Sequence, residues 1–336
     1  MNHDLYPRLL ADVGGTNARL AWQEACHAPL SHVATVLCAD HATLLAAMRR
    51  HLELHGLPPP QACGIGIATP VTGDEVAMTN HHWSFSIAEL RRQLGARHLT
   101  VVNDFTATAL ALSELPPAQL RPLGGGNAVP GAPKAVLGPG TGFGVSALLT
   151  APGGPPVAVS GEGGHATLSA QDAGEAAVIE SLRQRFGHAS IERALSGPGL
   201  VNLYEAVASM DGAAVHTLAP SDVIDRARAH GDEHCRRALG LFCALLGAVA
   251  GNVALTFGAR GGVYLAGGIA PRILGELEAS AFRSRFEGKG RFAGYLAAIP
   301  VFVISSDVSP ALLGASRAID LERDRGPAGA AQRAAS

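Results

Sequence analysis

The feature that most constrains this fold is an apolar strand that ends in a glycine turn and is followed at once by another strand. Residues 9–17 read LLADVGGTN, and residues 18–22 (ARLAW) alternate weakly, as a second strand does. The pattern recurs at residues 135–149, where GPGTGFG separates two apolar segments. Two such openings, each followed by mixed strands and helices, predict two related halves of one fold.

Strands and helices alternate along most of the chain. The apolar spacing predicts strands at residues 9–13, 18–22, 63–68, 99–102, 135–137, 145–149, 262–266 and 300–304, and helices at residues 43–54, 86–94, 105–112, 173–186, 200–208, 221–230, 239–257 and 310–323. Residues 115–133 are rich in proline and glycine, which favours a crossover between domains over a part of either core. We therefore predict a smaller α/β domain (1–117 plus about 310–323), a larger α/β domain (118–309) and a disordered tail (324–336).

Composition limits the partners and the location of the protein. With 47% hydrophobic residues the chain can bury a large core, and a formal net charge of -2 offers no broad basic field for nucleic acid. The five cysteines are odd in number and form no C-x-x-C pair, which argues against a disulfide framework or a zinc knuckle. We expect reduced core thiols, no signal peptide and a cytoplasmic protein.

One long apolar segment allows two interpretations. Residues 239–257 are uncharged, are almost long enough to span a bilayer, and contain Gly247 and Gly251 in G-x-x-x-G spacing. A buried helix between a sheet and other helices has the same pattern. Because polar Asn252 lies within the segment and no second run of this kind occurs in the sequence, we favour the buried helix and expect no membrane partner.

The glycine turns match neither of the two familiar phosphate loops. A P-loop needs a lysine directly after its last glycine, and the lysines of this chain, Lys134 and Lys289, are not so placed. A Rossmann loop needs a helix after the glycines, but strands are predicted here. What remains is a hairpin turn whose backbone N–H groups face phosphate, with hydroxyl donors at Thr16 and Thr141 and with Asp12 interacting with a metal ion through water. Either turn alone is more typical of an ordinary tight turn, and it is their repetition at corresponding places in two halves that favours the phosphate site.

Seven short motifs follow one another in the order DVGGTN (12–17), AMTNHHWSFS (77–86), NDFTA (103–107), GPGTGFG (138–144), GEGGH (161–165), ERALSGPGLVNLY (192–204) and AGGI (266–269). Together they resemble the bacterial glucokinases, the ATP-dependent group of the sugar kinase, actin and heat-shock ATPase superfamily, over residues 9–315. The resemblance implies an α/β fold of two ribonuclease-H-like (actin-like ATPase) domains with a central cleft that closes on glucose and Mg-ATP. One departure is Pro139, where a small residue is expected; we expect it to stiffen the turn without removing an N–H that phosphate needs.

The same resemblance implies the site residues. The nucleotide would be bound by Asp12, Gly14, Gly15, Thr16 and Asn17 in the first turn, by Gly140, Thr141 and Gly142 in the second, and by Gly267 and Gly268 near the adenosine. The sugar would be bound by Asn80, Asn103, Asp104, Glu162, His165 and Glu192. The cofactors would be ATP and Mg²⁺, with Asp12 near the metal. The last helix would return to the first domain, and the protein would be a homodimer.

Asp104 is the predicted general base. Phosphorylation of a sugar hydroxyl needs a carboxylate that accepts its proton, and Asp104 follows a predicted strand at the edge where ligands of α/β sheets bind. An N-cap for a helix that begins at Phe105 is an equally good interpretation. Glu162 and Glu192 offer acceptors for sugar hydroxyls, although a solvated first-turn glutamate explains Glu192 as well. The alternative for His165 is a loop histidine whose hydrogen bonds are made within the loop, and the alternative for Asn80 is a turn-forming asparagine. His81 and His82 are interpreted as surface residues and not as a zinc site.

The predicted function is transfer of the ATP γ-phosphoryl group to the 6-hydroxyl of glucose, the first step of glycolysis. One alternative is a kinase for another hexose on the same fold. A second is a non-catalytic sugar-sensing regulator, which is disfavoured because we expect no helix-turn-helix before Asp12. A third is an actin-like or chaperone ATPase, which would not need the Asn103, Asp104, Glu162 and His165 set.

Overall fold

The structure, a computed structural model, describes residues 3–79, 81–150, 153–229 and 231–324. Of the predicted tail, residues 325–336 lie outside the described residues. By backbone proximity the chain divides into two compact units. The first comprises Met1–Leu115, Gly153–Ser160 and Ser306–Ser336, and the second comprises Pro116–Pro152 and Gly161–Ser305.

The strands and helices alternate as the sequence predicts. The strands are β1 (Arg8–Val13), β2 (Asn17–Gln23), β3 (Ser31–Leu37), β4 (Ala62–Ile67), β5 (Glu75–Ala77), β6 (Ser84–Ser86), β7 (His98–Asn103), β8 (Leu120–Pro122), β9 (Lys134–Pro139), β10 (Phe143–Thr150), β11 (Pro156–Gly161), β12 (Val263–Leu265) and β13 (Val301–Ile304). The helices are α1 (Leu44–Leu54), α2 (Ile87–Leu94), α3 (Asp104–Ala111), α4 (Ala173–Phe186), α5 (Ile191–Ala194), α6 (Gly197–Met210), α7 (Pro220–Arg228), α8 (Glu233–Phe257), α9 (Leu274–Ala279), α10 (Phe282–Glu287), α11 (Ala293–Ala297) and α12 (Pro310–Asp324). Each predicted strand and helix overlaps an observed element of the same type.

The two main sheets repeat one topology. The first has the order β3-β2-β1-β4-β7, with β1 antiparallel to β2 and parallel to β4, which is parallel to β7. The second has the order β11-β10-β9-β12-β13-β8, with β9 antiparallel to β10 and parallel to β12, which is parallel to β13. Without β8, the second order repeats the first strand for strand. The prediction of two related halves is confirmed.

Contrary to the prediction, the segment at residues 115–133 is not outside both cores, although the two compact units do divide within it, after Leu115. It contains β8, which pairs antiparallel with β13, and Leu123 is buried in the hydrophobic core of the second unit. The sequence pattern hides this strand because it is three residues long and ends in Pro122. Proline is tolerated there because β8 is an edge strand, where one side of the backbone needs no ladder hydrogen bond.

Helix α12 is fixed on the first sheet by a glycine and by a buried arginine. A Cβ at Gly314 would overlap the carbonyl oxygen of Ala107 in α3, so only glycine permits this approach of α12 to α3. From β1, the fully buried Arg8 donates from Nη1 to Ser316 Oγ (2.7 Å) and from Nη2 to Asp320 Oδ1 (2.6 Å). These contacts hold the middle of α12 in a defined position on the first sheet.

Helix α8 is the apolar segment for which two interpretations were open. Among the described residues it is the one helix long and apolar enough to cross a membrane, and 67% of its most apolar 18-residue stretch is buried inside the protein. It packs on β9 and against α6, α7 and α10. Cβ atoms at Gly247 and Gly251 would overlap the carbonyl oxygens of Phe282 and Phe286. The G-x-x-x-G spacing therefore admits α10, and the predicted buried helix is confirmed.

The five cysteines are free thiols. Cys38, Cys63 and two cysteines of α8 are buried, whereas Cys26 is partly exposed and so is not the core residue that was predicted. Burial raises the pKa of Cys243 to about 12. The buried thiols are therefore protonated and poor nucleophiles at neutral pH.

Candidate functional site

The first glycine turn joins β1 to β2 as the predicted hairpin. Gly14 N donates to Asn17 O (2.9 Å) and closes the turn, whose side toward Gly15 and Thr16 is accessible to solvent. The end of β3 supports it from behind, because Cys38 N donates to Thr16 O (2.9 Å) and its thiol contacts Gly14 O (3.4 Å). Burial raises the pKa of this thiol, which therefore stays neutral beside the turn. The hairpin is confirmed; its role as a phosphate loop remains a prediction.

Asp12 is held by two donors that the sequence interpretation missed. Its carboxylate is almost buried, and its Oδ2 accepts from Ser309 Oγ (2.6 Å) and from Arg19 Nη1 (3.0 Å). Arg19 lies directly opposite Asp12 in the hairpin register, which the turn length could have indicated. Ser309 precedes α12 and is far away in sequence, so no local signal identifies it.

Asp104 does not cap α3, so the alternative interpretation of this residue is wrong. The N-cap is Asn103, whose Oδ1 accepts from Phe105 N (3.0 Å) and Thr106 N (3.1 Å). Asp104 is the first residue of the helix, and its Oδ1 accepts from Phe105 N (2.8 Å). Asn103 therefore fixes the turn that presents the Asp104 carboxylate, and the role of Asp104 as the base remains a prediction.

Asp12 and Asp104 belong to the same edge of the first sheet. Asp12 of β1 pairs in register with Gly66 of β4, which pairs with Val102 of β7, so the three parallel strands end at one level. Asp104 follows β7 at this edge. The carboxyl edge of a parallel sheet is where α/β folds bind ligands. The structure thus places the predicted metal-side carboxylate and the predicted base at the same edge of one sheet.

The second glycine turn joins β9 to β10. Phe143 pairs with Pro139 across it, and Gly140 N donates to Gly142 O (2.8 Å). The AGGI motif lies against this turn, since Ile269 N donates to Pro139 O (3.3 Å). Gly267 has a φ of +84°, and a Cβ there would overlap the same carbonyl. The structure therefore brings together the two nucleotide segments predicted in this half of the chain.

Glu192 lies directly beneath the second turn. Its Oε2 accepts from Phe143 N (2.8 Å), and a Cβ at Gly142 would overlap this oxygen and lie 3.3 Å from Cδ. The glycine therefore makes room for the carboxylate. The half-buried carboxylate joins α5 to the turn, so Glu192 is not the solvated first-turn glutamate of the alternative interpretation, and its sugar contact remains a prediction.

The GEGGH segment lies beside Glu192. A Cβ at Gly164 would overlap the carbonyl oxygen of Phe143, so the glycines allow this segment to approach the start of β10. Ile191 N donates to Ala166 O (2.9 Å), which joins the segment to α5. Glu162 and His165 are exposed there. Three predicted sugar residues thus belong to neighbouring segments of the second unit, with acceptor groups suited to a polyhydroxyl ligand.

Two predicted positions near the MTN turn have different outcomes. Asn80 lies outside the described residues. His81 is partly exposed and His82 is exposed, with ring centroids 4.2 Å apart. No group of three or more His, Cys, Asp or Glu side chains arranged to hold a metal occurs within residues 3–79, 81–150, 153–229 and 231–324. A metal at Asp12 would therefore rely on nucleotide phosphates and water for its other ligands, which is how Mg²⁺ usually binds.

The repeated sheets, each opening with a glycine hairpin, define a sugar kinase of the two-domain actin-like ATPase fold. A crystal structure of a glucokinase from an Antarctic psychrotroph superimposes with a TM-score of 0.84 at 34% identity and covers 95% of this chain and 100% of that one. A glucokinase from Aromatoleum aromaticum is 49% identical over 94% of this chain and 96% of its own length, and one from Neisseria meningitidis is 47% identical over 94% and 95%. The glucokinase family model matches residues 9–322. The chain belongs to the glucokinase family.

Proposed function

We propose that this protein transfers the γ-phosphoryl group of ATP to the 6-hydroxyl of glucose and so forms glucose 6-phosphate and ADP. The observation that best supports this is Asp104, held at the start of α3 by the Asn103 cap, at the same sheet edge as Asp12 and the first glycine turn. Membership of the glucokinase family supports the acceptor and the donor.

Asp104 would accept the proton of the 6-hydroxyl as that oxygen attacks the γ-phosphorus. Such transfers depend mainly on position and electrostatics, and a well-placed carboxylate is the one proton acceptor required. The amide oxygen of Asn103 is used by the cap, which leaves its amide nitrogen to donate to the sugar. Backbone N–H groups of Thr16 and Thr141 in the two turns would bind the phosphates.

Mg²⁺ is the proposed metal, and Asp12 is the residue that would hold it through water. An almost buried carboxylate with one oxygen already paired suits a hard cation that keeps much of its water shell. When bound, Mg²⁺ neutralises the charge that develops on the phosphate oxygens.

Glu162, His165 and Glu192, together with Asn103 and Asn80, are the proposed sugar contacts. Polar contacts of this kind discriminate between sugars, because a desolvated polar group is left unpaired when the sugar lacks the matching hydroxyl. Membership of the glucokinase family is what favours glucose among the hexoses.

The compact units support most of the proposed domain limits, because the first segment of the first unit ends at Leu115 and its last segment begins at Ser306, close to the proposed limits of 117 and 310. The first unit also contains Gly153–Ser160, which the proposal had placed in the larger domain. The cleft and its closure, which would exclude water from the reaction, stay predictions. We also propose a homodimer in the cytoplasm that acts in the first step of glycolysis. The family resemblance supports the homodimer and the glycolytic step.

The test is Asp104→Asn, assayed by coupled detection of glucose 6-phosphate. Asparagine has nearly the same size and leaves the Asn103 cap intact, but it cannot accept the proton. We expect kcat to fall by about 10²- to 10⁴-fold, while the free energy of unfolding changes by less than about 1 kcal/mol. Asp74→Asn is the matched control, since Asp74 also bonds a helix start, at Ala88 N (2.9 Å), and should leave kcat unchanged.

Near-normal turnover of Asp104→Asn would exclude the base assignment. The wild-type protein is assayed in parallel on glucose, mannose, fructose and glucosamine. If kcat/KM is higher on another hexose, that hexose replaces glucose as the proposed substrate. ATP hydrolysis without any sugar would favour an ATPase.

A further inference from the structure

Ser309 lies immediately before α12 and uses its hydroxyl as a donor to Asp12. The Ser309 Oγ–Asp12 Oδ2 distance is 2.6 Å, although the two residues are 297 positions apart. A serine before a helix usually turns its oxygen to the first helical N–H groups. Here the hydroxyl hydrogen is directed to the carboxylate, at a distance typical of a bond to an anion.

We propose that Ser309 is a positioning residue for Asp12. The proposal rests on the proposed function. Ser309 and Arg19 both donate to Oδ2, so this oxygen is occupied and the carboxylate plane is fixed. The other oxygen, Oδ1, is then left to accept from water on the metal ion. Residues that orient a metal-side carboxylate in this way commonly matter almost as much as the carboxylate itself.

The two donors differ in what they do to the carboxylate. The Arg19 guanidinium carries a positive charge and is 45% exposed, so it repels a cation that approaches Asp12 and can turn outward into solvent. The hydroxyl of Ser309 is neutral and partly buried. It can hold the carboxylate without opposing the metal. Ser309 is therefore the donor that remains compatible with a bound cation.

The position of Ser309 is rigid because α12 is anchored along its length. Gly314 lets α12 approach α3 closely, and Arg8 binds Ser316 and Asp320 in the following two turns. These contacts tie β1, which carries Asp12 near its end, to the helix whose start carries Ser309. The packing of the strand and the helix thus fixes the backbones of Asp12 and Ser309. The hydrogen bond between the two side chains then sets the orientation of the Asp12 carboxylate.

The test compares Ser309→Ala, Ser309→Thr and Ser316→Ala in the full-length protein. Ser316→Ala is the matched control, since it removes a hydroxyl from α12 that bonds Arg8 and Gln23 but not Asp12. We expect Ser309→Ala to raise the Mg²⁺ concentration for half-maximal velocity by about 10- to 100-fold. Binding of Mn²⁺-ADP, measured by isothermal titration calorimetry, should weaken by the same factor. Ser309→Thr, which keeps the hydroxyl, should restore both.

Ser316→Ala should lower the melting temperature without changing either metal-dependent quantity. The proposal is overturned if Ser309→Ala binds Mn²⁺-ADP as the wild type does, or if Ser316→Ala weakens binding equally, because the effect would then come from helix stability. A wild-type protein that binds Mn²⁺-ADP but does not phosphorylate glucose would instead refute the proposed function and leave the role of Ser309 testable.

Discussion

Gly142→Ala isolates the contact between Glu192 and the second glycine turn. Gly142 is not among the glycines with positive φ, so alanine fits the backbone there without strain. The added Cβ would overlap Glu192 Oε2 and lie 3.3 Å from Cδ. The turn is fixed by backbone hydrogen bonds, whereas the carboxylate is the end of a flexible side chain. The carboxylate will therefore move, and its 2.8 Å bond to Phe143 N will break.

The size of the effect follows from that bond. A hydrogen bond to a charged group contributes about 1.5–3 kcal/mol. If the same carboxylate binds a sugar hydroxyl from this position, its displacement removes a contact of that size from the glucose complex. At 1.36 kcal/mol for each factor of ten, we expect glucose to bind about 10- to 150-fold more weakly. The N–H groups of the turn are retained, so binding of ADP should change much less.

The assay is a double-mutant cycle. Glucose dissociation constants are measured by isothermal titration calorimetry for the wild type, Gly142→Ala, Glu192→Ala and the double variant. In the Glu192→Ala background the new methyl group has open space, so Gly142→Ala should have almost no further effect. Melting temperatures measured on the same four proteins separate loss of binding from loss of folding.

Two results would refute this reasoning. If the single effects add in the double variant, Gly142→Ala acts on the turn itself and not through Glu192. If Gly142→Ala binds glucose as the wild type does, the carboxylate does not need its position beneath the turn, and the contact with Phe143 has no part in sugar binding.

Two further predictions concern stability. Gly314→Ala should destabilise the fold by about 3 kcal/mol or more, because its methyl group would overlap the carbonyl of Ala107; Gly240→Ala, in α8 with open space around it, should instead stabilise by about 0.5–1 kcal/mol. Thermal melting compares them, and equal losses would contradict the packing argument. Burial and two nearby histidines lower the pKa of His51 from 6.5 to about 4, so the unfolded chain binds its proton more readily and stability should fall as the pH drops from about 6.5 to 4. In His51→Leu the melting temperature should depend less on pH over that range. If the melting temperatures of the two proteins fall in parallel, His51 is not the source of the pH dependence.

Most of the fold could be predicted from the sequence because its signals are local. Glycine turns between apolar strands identified both hairpins, and periodic helices such as α8 and α12 stand out by themselves. The missed elements are short or exposed. β8 is hidden by Pro122, and β3 is an exposed edge strand with little apolar alternation.

The candidate site divides in the same way. Asp12, Asp104 and the glycines are marked by motifs whose residues are neighbours in sequence. Three contacts are marked by no motif: the bond from Ser309 to Asp12, the bond from Phe143 N to Glu192, and the capping of α3 by Asn103 in place of Asp104. They are contacts of single atoms, and a sequence pattern contains no coordinates for atoms.

The sequence by itself determined two similar α/β halves, the glycine hairpins that open them, and the kind of chemistry their polar residues suit. Only the tertiary structure decided which donors hold each carboxylate. Periodicity and turn chemistry act over a few neighbouring residues, whereas the partners of Asp12 and Glu192 depend on how α12 and α5 pack, which is set by close approaches at Gly314 and Gly142. Such approaches are all-or-none at the scale of one methyl group.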